Sequence, residues 1–376
     1  MSYTLTYDQL FHDLHLAYYD ARRHKRRKAY QLEFEMRLEQ NLKCLCDELW
    51  TRTYQPRPST CFIINDPKKR EVFAAQFRDR IVHHLYYNYT HELFERTFIH
   101  DSYSCIRKRG THFGIHRLDQ HIRQESRNYT RPCYVLKMDI KGYFMNIDRS
   151  ILLNICLQTL RRMMPRHIHK NKPEKWQDTL DAPFLYYLTE TIVTLDPTVA
   201  CTIKGSRKAW DGLPTNKSLF HSRPGCGLPI GNLTSQLFSN VYMNELDNYM
   251  KRTLGCRHYG RYVDDFYVVS TSRPFLRHVA TMAETFLANH LSLEIHKGKQ
   301  TIVDVRRGVE FLGAYIKPFR LYVSNTTMRR VVRRLQRAST LSLHQFESYR
   351  GLVSHYKGVQ VKVALIRRMM QVVASA

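Results

Sequence analysis

The sequence contains no long uninterrupted run of apolar residues. Its apolar stretches have the length of single β-strands, far short of the roughly 20 residues that a membrane-spanning helix needs. It also contains no secretory leader, internal repeat or low-complexity segment. We therefore expect a globular protein without a membrane segment, located in the cytoplasm.

The cysteines lack the spacing of a structural zinc site. There are nine of them, and none forms a Cys-x-x-Cys pair; Cys44 and Cys46 are separated by a single residue. An odd number of cysteines in a large chain with a substantial apolar fraction is typical of reduced thiols in a cytoplasmic protein. The sequence thus argues against both a disulfide framework and a zinc ribbon.

Acidic residues are scarce relative to basic ones. The 376 residues include 59 Lys and Arg but 33 Asp and Glu, which gives a formal charge of +26. Such an excess repels itself unless a polyanion is bound, and nucleic acid is the usual polyanion. A basic membrane-surface protein is the alternative. The densest cluster, 22–28, is interpreted as a contact to a nucleic-acid backbone rather than a solvated charge run.

Hydrophobic periodicity predicts a mixture of helices and strands. Between 161 and 226 the pattern weakens, which indicates a functional connection or an insertion. Helices are predicted within the first 50 residues and over 78–91, 150–160, 184–194, from about 233 to 249, 275–291 and 326–338. Strands are predicted over 61–64, 71–75, 134–138, on both sides of 264–265, and over 301–303 and 309–316.

Three carboxylates occur where burial should exclude them. Asp139 ends an apolar strand, and Asp264 and Asp265 interrupt two others. Buried carboxylates are costly unless they are paired or coordinate a metal. Two adjacent aspartates in a tight turn, with a third from a neighbouring strand, can hold two divalent ions, and oxygen ligands favour Mg²⁺. An isolated Asp-Asp pair would more simply be an ordinary turn, so the strand-like flanks and the third aspartate carry the interpretation.

Several motifs, in this order along the chain, resemble those of reverse transcriptases: 137–144, 227–236, Tyr262-Val263-Asp264-Asp265, 291–299 and 311–313. The resemblance implies an α+β right-hand polymerase fold. It implies basic helices and fingers over 1–130, a palm of antiparallel sheet and helices over 131–319 with an insertion at about 161–226, and a small helical thumb over 320–376.

The same resemblance implies roles for individual residues. Asp139 and Asp264 would be the main ligands of two Mg²⁺ ions, with Asp265 as third carboxylate and the carbonyl of Ile140 completing one shell. Residues expected to bind the deoxynucleoside triphosphate are Arg70, Arg78, Phe144 as steric gate, Ile230, Gly231, Gln236 and Lys299. The expected primer grip is Phe311, Leu312 and Gly313. The arginines expected to follow the backbone of the RNA/cDNA duplex, from their helical spacing, are Arg329, Arg330, Arg333, Arg334 and Arg337.

The motif around Ile230 indicates which group of reverse transcriptases the chain resembles. Many reverse transcriptases have Pro-Gln-Gly followed by Ser-Pro, whereas this chain has Pro229-Ile230-Gly231 followed by Ser235-Gln236. This form resembles the enzymes of diversity-generating retroelements, which copy a template-repeat RNA with errors opposite adenine and work with a small basic ring-forming accessory protein. Alternatives are a prokaryotic defence or retron-type reverse transcriptase, or a non-catalytic RNA-binding scaffold.

Overall fold

The computed structural model describes residues 5–23, 25–65, 68–168, 180–337, 347–348, 351 and 354–356, with side chains except at 165–168 and 334–337. The chain divides into two compact units. The first comprises Met1–Ile99, Ile140–Tyr249 and Glu284–Ile295, and the second comprises His100–Asp139, Met250–Ala283 and His296–Ala376. Most of the predicted thumb, together with the side chains of Arg334 and Arg337, lies outside the described residues.

The described chain mixes helices and sheet, which confirms the mixed fold class. The α-helices are α1 Tyr7–Arg22, α2 Ala29–Glu35, α3 Leu38–Trp50, α4 Phe77–Glu95, α5 Thr111–Glu125, α6 Tyr143–Asn146, α7 Arg149–Ile168, α8 Ala182–Thr194, α9 Leu233–Asn248, α10 Arg273–Leu291 and α11 Asn325–Arg337. The strands are β1 Ser59–Ile64, β2 Arg70–Ala74, β3 Tyr134–Asp139, β4 Cys201–Ile203, β5 His258–Tyr262, β6 Asp265–Ser270, β7 Thr301–Asp304, β8 Val309–Phe311, β9 Ala314–Lys317 and β10 Arg320–Val323. No helix in these ranges is both long and apolar enough to span a membrane.

Helices dominate the first unit. Helix α1 begins at Thr6, whose hydroxyl accepts a hydrogen bond from the Gln9 amide at 3.2 Å and so satisfies a free N–H of the first turn. Its fully buried face carries Leu10 and Leu14 at helical spacing. This face packs against α4, and the Tyr89 hydroxyl of α4 donates to the buried Asp13 carboxylate at 2.6 Å. Tertiary packing therefore fixes the basic N-terminal helices.

Within the stretch predicted as an insertion, strand β4 belongs to the first unit's sheet. Strand β4 pairs in parallel with β1, which pairs antiparallel with β2, giving the order β2-β1-β4. The pattern is weak because β4 has three residues and is followed by short 3₁₀ turns at Arg207–Trp210, Thr215–Lys217 and Leu219–His221. Elements this short contain too few residues for a hydrophobic period to be recognised.

The second unit is built on a four-stranded antiparallel sheet with the order β5-β6-β3-β7. Alternation places Val135 and Val269 on one face, in a core shared with α5 and the strands β8 and β9. Of the two central strands, β3 ends at Asp139 and β6 begins at Asp265. An apolar core therefore supports the strands that carry these carboxylates.

A second sheet, in the order β10-β9-β8, corrects one detail of the sequence analysis. The single strand predicted over 309–316 is a hairpin that turns at Leu312 and Gly313, which both have positive φ (49° and 82°). Strand β10 pairs with β9 across the predicted palm–thumb boundary at 320, and that boundary stays a prediction. Helix α5 was not predicted at all.

Candidate active site

The acidic turn connects two neighbouring strands with a minimal loop. Tyr262 of β5 lies opposite Asp265 of β6, which leaves Val263 and Asp264 as the two loop residues. On the other side of β6, Asp265 lies directly opposite Asp139, the last residue of β3. Residues opposite each other in antiparallel strands project to the same face. The sheet register therefore brings two of the three predicted carboxylates together, with the third adjacent in the chain.

The electrostatics of this cluster disfavour its full ionisation. Burial raises the pKa of Asp265 to about 7; Lys137 opposes this rise, Asp264 and Asp139 add to it, and Lys299 also opposes it. Burial penalises the charged form, and neighbouring like charges penalise it further. A strongly shifted carboxyl beside two others is the electrostatic signature expected of a functional site.

Lys299 supplies a cation to the cluster. Its ammonium donates hydrogen bonds to both oxygens of Asp139, at 2.7 and 2.8 Å. The backbone amide of His296 donates to the Asp139 carbonyl at 2.8 Å, which fixes the lysine-bearing segment against the end of β3. The sequence predicted Lys299 near the triphosphate; the structure places it against a predicted metal ligand.

The donor set suits a divalent cation by its chemistry. Asp139, Asp264 and Asp265 offer hard carboxylate oxygens, which magnesium prefers, and a lysine ammonium already contacts one of them. Within the described ranges no three His, Cys, Asp or Glu side chains are already gathered as a metal cage. Ile140 is buried and forms a bridge with Ile295, and the predicted role of its carbonyl stays a prediction.

Phe144 and Ile230 pack against the same apolar cluster in the first unit. Both are partly buried against an apolar cluster that includes Cys61, Phe73 and Leu219. The Ile230 carbonyl accepts a hydrogen bond from the Phe73 amide at 2.9 Å, so the motif at 227–236 is fastened to β2. The predicted steric gate and the residue that distinguishes this motif therefore share one apolar cluster.

Gly231 is required where it stands. Its φ is 128°, in a region unfavourable to other residues, and a Cβ there would lie 2.9 Å from Val72 and 3.0 Å from the Phe73 carbonyl. Gln236 is exposed on α9, so its side chain is accessible. The close approach at Gly231 explains why the motif can lie flat against β2.

The two predicted cationic residues of the fingers differ in availability. Arg70 is exposed at the start of β2. Arg78 is only 11% exposed, and its guanidinium makes a two-pronged ion pair with Glu48 while lying over the Tyr54 ring at 5.3 Å. Nucleotide binding by Arg78 stays a prediction that would require this pair to open, whereas Arg70 needs no such change.

The predicted primer grip and thumb helix lie in the second unit. Phe311 is buried and packs edge-on against Tyr267, with ring centres 5.1 Å apart, so it supports the hairpin from within the core. Leu312 and Gly313 form the turn itself, and the Gly313 carbonyl accepts from Ser324 at 2.8 Å. On α11, the side chains that are exposed and cationic are those of Arg329, Arg330 and Arg333.

Sequence reasoning missed two buried charged residues. Glu71 accepts hydrogen bonds from the Trp210 indole at 2.6 Å, the Ser218 hydroxyl at 2.8 Å and the Leu219 amide at 2.5 Å. Arg261, on β5, is completely buried one residue before the tyrosine of the acidic turn. The available signal was a charge inside a strand pattern, since a buried charge needs a dedicated set of partners.

Comparison with known proteins identifies the family of the chain. Residues 65–316 match the family model described as reverse transcriptase (RNA-dependent DNA polymerase). The chain therefore belongs to the reverse transcriptase family and is an RNA-directed DNA polymerase by class, which confirms that part of the sequence-based prediction. Family members act on RNA templates and generally use divalent metal ions.

The individual proteins that resemble this chain share a low percentage of identical residues with it. The chain is 24% identical to Protein YkfC of Escherichia coli K12 over 313 residues, covering 74% of this chain and 72% of that one. Among solved structures, it is similar to apo telomerase from Candida tropicalis, truncated from its C-terminal domain (10% identity, TM-score 0.47, 72% of this chain and 56% of that one). It is also similar to telomerase from Candida albicans in complex with a TWJ fragment of telomeric RNA (10% identity, TM-score 0.49, 86% and 56%). The chain spans just over half the length of these telomerases.

Proposed function

We propose that this chain copies RNA into DNA with Asp139, Asp264 and Asp265 as its catalytic carboxylates. The observation that carries the proposal is the β3–β6 register, which sets Asp139 opposite Asp265 with Asp264 beside it. These three residues would hold two Mg²⁺ ions. When bound, such ions activate the primer 3′-hydroxyl and neutralise the phosphates of the incoming nucleotide.

Two lysines, Lys299 and Lys137, compensate the charges of the carboxylates at this site. The lysine contacts both oxygens of Asp139, which orients the carboxylate and compensates its charge. Lys137, on the same strand as Asp139, lowers the cost of charge on Asp265. Lys299 is also the residue proposed to neutralise or protonate the departing pyrophosphate, because its side chain is 54% exposed and lies beside a proposed metal ligand.

The first unit is proposed to select the deoxynucleoside triphosphate. Phe144 serves as the steric gate, since an aromatic ring at this position would clash with a ribose 2′-hydroxyl. Its partly buried ring is held by the apolar cluster described above, which limits its freedom to move aside. Arg70 contributes an exposed cation for the phosphates.

We further propose that the enzyme is the error-prone polymerase of a diversity-generating retroelement, copying a template-repeat RNA with help from a small basic accessory protein. The support is Ile230, which packs in the same apolar cluster as Phe144. A glutamine at this place could hydrogen-bond to the nascent pair, whereas isoleucine has no side-chain donor or acceptor. Selectivity then rests on shape alone, and hydrophobic pockets discriminate poorly between similar ligands.

The test replaces Ile230 with glutamine and uses Ile230→Val as the apolar control. The two variants and the original chain copy the same RNA template, and the cDNA from each is sequenced. We expect Ile230→Gln to lower misincorporation about tenfold, most strongly opposite adenine, which corresponds to about 1.4 kcal/mol of extra discrimination. Ile230→Val should retain the error pattern of the original chain. Equal adenine error rates in Ile230→Gln and the original chain would reject the proposal, and the assignment to reverse transcriptases would stand.

A further inference from the structure

The acidic turn has a strained backbone. Of its two loop residues, Val263 alone has a positive φ, 59°. A two-residue hairpin loop with this pattern normally places glycine at its first position. A β-branched side chain there is an outlier, because its Cβ crowds the backbone in the left-handed region. Strain of this kind persists only where surrounding groups hold the backbone in place.

The group that holds this turn is the guanidinium of Arg261. One of its nitrogens donates to the Val263 carbonyl at 2.9 Å, and another donates to the Ser102 hydroxyl at 3.2 Å. Arg261 and Ser102 are both 0% exposed. The guanidinium therefore connects the peptide that precedes Asp264 to the buried interior of the second unit.

The backbone of Arg261 is fixed as well. Its amide donates to the Asp101 carbonyl and its carbonyl accepts from the Tyr103 amide, both at 2.9 Å. Strand β5 is thereby bridged to the segment at 101–103 on the side away from β6. With main chain and side chain both anchored, the nitrogen facing Val263 has little freedom.

We propose that Arg261 is a positioning residue, which holds the Val263 peptide in its strained conformation and so orients Asp264 and Asp265. The inference rests on the proposed function of those carboxylates. A guanidinium is suited to this role because its planar fork donates in two fixed directions at once. A lysine could reach one of the two acceptors but not impose the angle between them.

Arg261→Lys tests the proposal, with Arg149→Lys as its matched control. Arg149 is also a buried arginine that donates to backbone carbonyls, those of Thr194 and Cys226, but it lies in the first unit. For both variants we would measure primer extension on an RNA template, Mn²⁺ binding in the absence of nucleotide by electron paramagnetic resonance, and amide hydrogen exchange of residues 262–266.

The expected result is specific to Arg261→Lys. Its kcat should fall at least tenfold while the KM for nucleotide stays within threefold, Mn²⁺ affinity should weaken at least fivefold, and exchange in the turn should accelerate. Arg149→Lys should leave all of these within twofold per folded molecule. A kcat within threefold of the original, or an equal loss in Arg149→Lys, overturns the proposal.

Two additional variants keep the test decisive. Ser102→Ala removes one anchor of the guanidinium with a small change in volume, and it serves if Arg261→Lys does not fold; unchanged exchange in the turn would then overturn the proposal. Val263→Gly relieves the strain. The double variant Arg261→Lys/Val263→Gly should therefore have a kcat at least threefold above that of Arg261→Lys, and an unchanged kcat counts against the proposal. If the original chain extends no primer but Arg261→Lys still weakens Mn²⁺ binding and loosens the turn, the proposed function fails and the positioning role stands.

Discussion

Replacing Glu71 with glutamine should destabilise the first unit measurably. The Glu71 side chain is buried and accepts hydrogen bonds from the Trp210 indole, the Ser218 hydroxyl and the Leu219 amide. These bonds tie β2 to the segment that follows β4. A glutamine of nearly equal volume keeps one acceptor oxygen but places an NH₂ group where the second oxygen receives a donor.

The magnitude follows from the three contacts. Hydrogen bonds to a charged group contribute about 1.5–3 kcal/mol each, and neutral ones about 0.5–1.5 kcal/mol. Three weakened bonds would cost about 3 kcal/mol, and an unsatisfied buried donor would add about 1–3 kcal/mol. Release from burying a charge offsets part of this sum. We therefore expect the free energy of unfolding to fall by about 3 kcal/mol.

The assay is urea denaturation followed by tryptophan fluorescence, because Trp210 itself contacts Glu71 and reports on the site. Glu310→Gln is the control, since Glu310 is exposed on β8. We expect a lower urea midpoint with an unchanged slope for Glu71→Gln, and no change for the control. A shift below about 0.5 kcal/mol, the scatter of ordinary surface substitutions, would refute the reasoning.

Three further predictions concern catalysis, sugar choice and pH. Asp264→Asn should abolish primer extension with Mg²⁺ while RNA affinity is retained, and activity within about tenfold of the original would contradict the assignment. Phe144→Ala should admit ribonucleotides, measured as single-turnover incorporation of rNTP against dNTP; unchanged discrimination would make Phe144 a packing residue only. Burial lowers the pKa of His83, which contacts Thr234 at 2.8 Å, to about 4. The fold therefore favours neutral His83, so its contribution is complete above pH 6.5 and falls by about 2 kcal/mol at pH 5. His83→Gln should flatten this part of the stability–pH curve, and an unchanged curve would rule His83 out as its source.

The sequence predicted the central strands of the second unit's sheet well because they are short apolar runs. Strand β3 is a short, mostly apolar run in which Val135, Leu136 and Met138 are buried. It ends at Asp139 and matches its predicted span of 134–138 to within one residue. The acidic turn was recognisable because two aspartates within apolar strands break the hydrophobic rule. The direct pairing of Asp139 with Asp265 depends on strand register, which no local pattern states. From the residues alone, only a third carboxylate on a neighbouring strand could be expected.

Elements that depend on partners distant in sequence were missed. Strand β4 has three residues and forms because β1 offers a free edge 142 positions earlier, at the Ser59–Cys201 pairing. The Lys299–Asp139 contact spans 160 positions and the Trp210–Glu71 contact spans 139. A periodicity reading covers roughly 11–18 residues and cannot register such pairings.

Three departures from local rules lie close together at the acidic turn. Val263 has a backbone conformation that suits glycine, Arg261 is a completely buried cation, and burial and two other carboxylates raise the pKa of Asp265 to about 7. Each of these features costs folding free energy, and they lie within five consecutive residues. A chain selected only for stability would replace the valine with glycine and the charged groups with apolar ones, since buried ion networks are often less stable than apolar substitutes. Strain and buried charge of this kind are characteristic of functional sites, which supports the proposal that the carboxylates of this turn are catalytic.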